Sequence, residues 1–281
     1  MIIKKNLVLS TTNKKPIVYD VYFQETQKPK PIVIFCHGYK GFKDWGAWHL
    51  VAEEFARAGF FFLKFNFSHN GGTEEQPIDF PDLEAFANNN FTIELDDLDR
   101  VIKWVSKNHS FSSEMDIENI SLIGHSRGSG IVIIKAEEHP LVKKVITWAG
   151  VSDFKIRFQE NTTQFKQWKE TGVLYVKNGR TQQQMPHYFQ FYENFIKNEE
   201  RLTISRATKK LSKPLLIVHG SNDKTVSTLE AQALKKWNPN AVLIEIPEAN
   251  HVFGTSHPWV NKAIPKKLKS VVKLSIDFIK K

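Results

Sequence analysis

The chain has 281 residues, enough to bury one large core, and its 41% hydrophobic and 25% charged residues are ordinary for a globular protein. A single cysteine, Cys36, excludes an internal disulfide and a thiolate zinc site, and no apolar run approaches the roughly 18 residues of a membrane span. The formal charge of +9 comes from KK and KxK pairs spread along the chain, which reads as solvated surface rather than as a nucleic-acid footprint.

The first residues, Met-Ile-Ile-Lys-Lys-Asn, lack the apolar core of a secretory signal, so the cytoplasm is the expected compartment. Residues 4–10 and 17–23 read as an opening antiparallel pair of strands. The run PIVIFC at 31–36 is apolar at nearly every position, as in a strand buried on both faces. A helix is predicted over 47–58, stopped by Gly59, and a second buried strand over 60–67. Residues 91–107 carry Ile93, Leu98, Val101, Ile102 and Val105 on one helical stripe. A strand at 120–123 and a helix at 127–138 follow. Three more strands are predicted at 145–148, 215–218 and 242–246, then an amphipathic helix at 263–280 whose apolar stripe packs on the sheet. The alternation predicts an α/β fold: a mostly parallel twisted sheet of about eight strands with helices on both faces, one domain over 1–281.

Residues 154–212 break that rhythm, being far longer than a strand-to-helix connection needs. They hold ten aromatic residues, and eleven Lys or Arg against five acids, which is +6 of the chain's +9. We expect an inserted helical cap. Its composition would suit a substrate with a flat apolar group and a negative charge, or else supply only a core and a solvated surface.

The strongest local signal is Gly124-His125-Ser126-Arg127-Gly128, between a predicted strand and a predicted helix. A strand turning abruptly into a helix projects the serine at the end of the sheet, and side chains at the flanking glycines would collide with neighbouring elements. Ser126 is the candidate nucleophile. A serine hydroxyl needs a base, and His251 follows the strand at 242–246 through a short loop. His257 is its rival; His37 and His219 end buried strands and read as structural, while His125 points away from the serine by adjacency. The base needs a carboxylate to fix its tautomer, and Asp223 lies beyond the strand at 215–218, with Asp153 as the alternative. Backbone N–H groups of Arg127, and of Tyr39 in the turn His37-Gly38-Tyr39, are the candidate oxyanion donors. Asp96, Asp97 and Asp99 cluster at what reads as a helix start, where they would complement its dipole rather than bind a cation. No motif supports a metal or a nucleotide.

With HGYKGFKDWG, FNFSHNGG, GHSRG, HGSNDKTV and ANHVF in this order, the chain resembles the α/β-hydrolase superfamily. Within it the likeness is to dienelactone-hydrolase-like and prolyl-oligopeptidase-like esterases and peptidases and to cinnamoyl or feruloyl esterases. The resemblance implies Ser126, Asp223 and His251 as nucleophile, acid and base, Tyr39 and Arg127 as oxyanion donors, and no cofactor. One departure is Asn66 and Ser68, where many relatives carry Asp and Arg. The expected activity is hydrolysis of a small-molecule ester through an acyl-enzyme. Peptidase or amidase, thioesterase and acyltransferase chemistry use the same machinery, and a non-catalytic binding protein of the same fold would be free to lose Ser126 or His251.

Overall fold

Runs such as IVIFC, FFLKF and LLIV have no polar face to offer water, so they take the centre of a sheet covered on both sides. The computed structural model describes residues 1–26, 28–107 and 110–281. Its strands are β1 (Ile2–Thr11), β2 (Lys14–Phe23), β3 (Lys30–Cys36), β4 (Phe61–Phe65), β5 (Met115–His125), β6 (Val142–Trp148), β7 (Val173–Lys177), β8 (Gln184–Tyr188), β9 (Leu215–Gly220) and β10 (Val242–Ile246). Its helices are α1 (Trp48–Arg57), α2 (Leu83–Ala87), α3 (Phe91–Val105), α4 (Arg127–Glu138), α5 (Thr163–Thr171), α6 (Gln190–Lys197), α7 (Glu199–Leu202), α8 (Ile204–Lys210), α9 (Thr228–Trp237) and α10 (Lys266–Lys280). Eight strands form one sheet in the order β1-β2-β4-β3-β5-β6-β9-β10. The pairs β1–β2 and β2–β4 are antiparallel and the rest are parallel. No helix among the described residues is long and apolar enough to cross a membrane.

α4 and β10 fall on the predicted residues. β5 is longer than expected because Asp116, Glu118 and Asn119 carry its start into solvent, where apolar periodicity gives no signal. The last helix starts at Lys266 rather than 263, after Pro265, which stands as its N-cap in an extended conformation. Asp96, Asp97 and Asp99 lie inside α3 rather than at its start, and they act as braces. Asp97 accepts from the Ser68 N–H at 2.7 Å and from Arg100 at 2.9 Å, and Asp99 pairs with Lys103 at 2.6 Å.

The two faces of the sheet carry separate apolar clusters. On one, α1 and α10 bury Val51, Phe55, Leu268, Val271 and Val272 against Val33, Phe35 and Trp148. On the other, Leu95, Leu98 and Val101 of α3 and Ile131 and Ile134 of α4 cover Ile34, Leu63 and Leu122. Each such fully buried side chain contributes roughly 2 kcal/mol. Phe154, Phe158, Trp168, Phe195 and Ile204 belong to this second cluster, so residues 154–212 share the core of that face. The segment contains helices, as expected, and also the antiparallel hairpin β7–β8.

A buried ionic group ties the turn after β3 to the sheet. Lys43 Nζ donates to Asp20 at 2.8 Å and Lys64 Nζ to the same carboxylate at 2.6 Å, all three side chains being sealed from solvent. The Asp44 carboxylate accepts from both lysines. Burial alone would raise the Asp44 pKa, but the two ammonium groups outweigh it and hold the carboxyl below its usual range. Its contribution is therefore present above about pH 4 and lost as pH falls below the ordinary Asp range. Asp20→Ala would leave two cations inside with half their counter-charge. We expect a loss of about 3–5 kcal/mol, read as a lower urea midpoint at unchanged slope. A loss below about 1 kcal/mol would mean that water reaches the lysines.

Candidate active site

β5 passes into α4 through one residue, Ser126, at φ 56° and ψ −122°. Such a conformation costs a β-carbon-bearing residue about 1–3 kcal/mol and persists because the surroundings over-determine it. Here the Ser126 N–H donates to the Trp148 carbonyl at 2.9 Å and the Ser126 carbonyl accepts from the Ser129 N–H at 3.0 Å. The flanking glycines are sterically required. A Cβ on Gly128 would stand 2.5 and 2.6 Å from the carbonyl oxygens of His37 and Cys36, and one on Gly124 would meet Ser129 Cα at 2.6 Å.

The loops after β9 and β10 bring two more groups to the serine. His251 Nε2 is 3.0 Å from Ser126 Oγ, and His251 Nδ1 is 2.8 Å from Asp223 Oδ2. The other Asp223 oxygen accepts from the N–H groups of Thr225 and Val226 at 2.8 and 2.9 Å. His219 Nε2–H, which donates to the Val226 carbonyl at 2.9 Å, also faces Asp223 Oδ2 at 3.2 Å. Burial of Asp223 favours its neutral form, but the donors from His219, His251 and Val226 prevail and hold the carboxyl well below the usual range.

The turn after β3 closes the site from the other side. A Cβ on Gly38 would lie 2.8 Å from Ser126 Cβ, so only glycine lets the elbow approach. His37 donates through Nδ1 to the Gly38 carbonyl at 2.9 Å and accepts through Nε2 from the Phe67 N–H at 3.3 Å. Burial pulls the His37 pKa down to about 4, consistent with that neutral tautomer. The backbone N–H groups of Tyr39 and Arg127 find no acceptor among the described residues. Asn66 braces this turn, accepting from the Lys43 N–H and donating to the Pro77 carbonyl, each at 2.7 Å.

Ser126 stands between two cavities. The larger, about 380 Å³, is walled by Phe91, Phe154, Phe158, Phe165, Trp168 and Phe191, with Leu174, Val176 and His187 from the hairpin. The smaller, about 120 Å³, lies among His37, Gly38, Trp45, Trp48, His125 and His251. Of the eleven basic residues in 154–212, Arg157 alone is among the described residues lining the larger cavity, and it is paired with Glu230 at 2.6 Å. Arg127, also in the wall, is paired with Glu94. The excess charge of the segment thus faces elsewhere.

The rival residues serve other ends. Asp153 is exposed and accepts from the N–H groups of Lys155 and Ile156 at 2.6 and 3.2 Å. His257 Nδ1 accepts from the Gly46 N–H at 2.9 Å. His125 lines the smaller cavity together with Ser126 and His251, and its Nε2–H donates to the His251 carbonyl at 3.0 Å and so braces the backbone beneath the candidate base. Burial, then the neighbouring His251, pulls its pKa down to about 3 and keeps it neutral. Adjacency to Ser126 was its only signal in the sequence.

Residues 31–174, just over half of the chain, match the family model described as alpha/beta hydrolase fold. No curated protein sequence matches the chain. Among solved structures, Est1E of Butyrivibrio proteoclasticus with bound ferulic acid superposes with a TM-score of 0.71 at 18% identity, covering 97% of both chains. The esterase domain of a Rhodothermus marinus protein gives 0.64 at 18% identity, covering 99% of this chain and 98% of that one. A dienelactone hydrolase of Anabaena variabilis gives 0.63 at 16%, covering 99% and 96%.

Proposed function

Since the chain belongs to the α/β-hydrolase family, we propose that it is a serine hydrolase that cleaves a carboxylic ester of a small molecule through an acyl-enzyme. The observation that carries this reading is the run of hydrogen bonds from Asp223 through His251 to Ser126, at 2.8 and 3.0 Å, beside an apolar cavity. Ser126 Oγ attacks the ester carbonyl carbon as His251 Nε2 takes its proton. The N–H groups of Tyr39 and Arg127 receive the oxyanion, and the imidazolium returns the proton to the departing alkoxide. Water then repeats the attack on the acyl-enzyme, giving the acid and restoring Ser126.

The larger cavity suits the acyl group and the smaller the leaving alcohol. In this reading residues 154–212 are a cap that supplies most of the aromatic wall. Est1E holds ferulic acid, and an aromatic acyl group fits this wall by face and edge stacking. Because Arg127 and Arg157 are neutralised by Glu94 and Glu230, the acyl group is taken to be uncharged rather than anionic.

Turnover of p-nitrophenyl esters, thioesters and aminoacyl amides, with a fluorophosphonate label alongside, tests the assignment. An aryl-substituted ester should be cleaved at least about tenfold faster than the matched amide, with the label on Ser126. Faster amide cleavage would turn the reading toward a peptidase. A folded protein that neither labels nor turns over any substrate would be a binder.

A further inference from the structure

Tyr39 lies in the turn Gly38-Tyr39-Lys40-Gly41, closed by the Gly41 N–H on the Gly38 carbonyl at 3.1 Å and outside every strand and helix. The peptide that carries its N–H is held from its carbonyl side, where the Gly38 oxygen accepts from the Gly41 N–H and from His37 Nδ1 at 2.9 Å. Its side chain is held as well, at the far end. The Tyr39 hydroxyl meets His187 Nε2 of β8 at 2.7 Å, across 148 positions of sequence. His187 is itself fixed. Its carbonyl accepts from Trp168 Nε1 at 2.8 Å, and its ring lies 5.9 Å from that of Phe191 and 5.1 Å from that of Phe86.

The contact continues to the second donor. The Arg127 guanidinium sits over the Tyr39 ring, 4.9 Å from its centroid, and is paired to Glu94 of α3. Glu94 in turn accepts from Asn89 Nδ2 at 2.8 Å. One run of side chains therefore joins the hairpin, both candidate oxyanion residues and α3. Burial, with the Arg127 and Lys40 charges adding to it, pulls the His187 pKa down to about 3, and burial pushes the Tyr39 phenol up to about 12. The hydrogen bond thus joins two uncharged groups and does not depend on pH in the working range.

We infer that His187 is a positioning residue: through the Tyr39 hydroxyl it adds, to the two bonds on the Gly38 carbonyl, the restraint that completes the orientation of the Tyr39 backbone N–H, making the hairpin part of what prepares the oxyanion hole. This rests on the reading of Ser126 as nucleophile given above. An N–H aimed at the oxyanion matters when negative charge develops, so its misalignment lowers kcat and leaves substrate binding alone.

Tyr39→Phe deletes one oxygen and keeps the N–H. We expect kcat to fall about tenfold with KM held within about twofold, the scale of a small misplacement at a reacting centre. The rate of fluorophosphonate labelling of Ser126 should fall by the same factor, because the phosphonyl oxygen uses the same N–H. His187→Leu should match it, and the double variant should be no worse than either single one, since both act through one bond. His187→Gln, which keeps a hydrogen-bonding tip, should recover most of the loss. Tyr188→Phe is the control: it removes the Tyr188 hydroxyl bond to Glu84, 2.6 Å long and on the same hairpin, and should leave kcat unchanged. An unchanged kcat in Tyr39→Phe, a rise in KM alone, or an equal loss in Tyr188→Phe would each overturn the inference. If His187→Leu does not fold, Tyr39→Phe alone decides. Failure of the unaltered protein to label or turn over would instead bring down the reading of Ser126.

Discussion

Ser126→Ala is expected to lower kcat by about six orders of magnitude, the scale seen where such a serine has been removed from a hydrolase. Melting should change little, because the elbow is held by backbone hydrogen bonds to Trp148 and Ser129 that alanine keeps. The residual rate would be that of water attacking a substrate still bound beside the two N–H donors. Single-turnover kinetics and mass spectrometry of the fluorophosphonate adduct check this. An adduct that persists on another serine, or a loss of less than about a hundredfold, would remove Ser126 from the nucleophile's place.

Asp223→Asn should cost on the order of 10⁴ in kcat, since an amide facing His251 Nδ1 favours the wrong imidazole tautomer and gives no stabilisation to the imidazolium. Asp153→Asn, at an exposed carboxylate that only braces its own turn, should leave kcat within about twofold. A crippled Asp153 variant beside an active Asp223 variant would reverse the assignment. The same carboxylate predicts the shape of the pH profile. Asp223 is held below the usual carboxylate range by its donors, so its own protonation should add no second proton to the fall in rate on acidification. A two-proton acid limb would contradict this.

The strands and helices of the sheet were legible where burial imposes a period. Arg127–Glu138 is read from sequence without error because the serine turn fixes its start and the charged pair Glu137-Glu138 follows its apolar run, and Val242–Ile246 because apolar residues mark both ends. The hairpin was not, since VLYVK and QMPHY are too short to separate strand from helix, and the second contains a proline. α9 is not predicted either: of its apolar residues Leu229, Ala231, Ala233, Leu234 and Trp237 only Ala231 and Leu234 are buried, and Leu229 is exposed, so no clean apolar stripe marks it. At the site, Ser126, Asp223 and His251 are singled out by turns at strand ends, and the fold brings them within hydrogen-bond distance. His125, His187 and Glu94 carry no such mark. Their partners lie 126, 148 and 33 positions away, and only the folded chain puts them together.

The four charges beneath the turn after β3 also limit how this sequence can drift. Asp20 and Lys64 face each other across β2 and β4, and Lys43 and Asp44 are neighbours in the chain, so two positive and two negative groups cancel in a space where only Asp44 reaches solvent in part. A descendant that loses Asp20 inherits two buried cations against the one remaining carboxylate. At about 3–5 kcal/mol that single step consumes a large share of the roughly 5–15 kcal/mol by which a domain is stable at all. Exchange of an oppositely charged pair for two apolar residues of similar size carries no such burden and can even stabilise. Across any lineage of this chain, Asp20 and Lys64 should therefore be kept together or given up together, and a lone survivor should be found only where the partner charge has been rebuilt from a neighbouring strand.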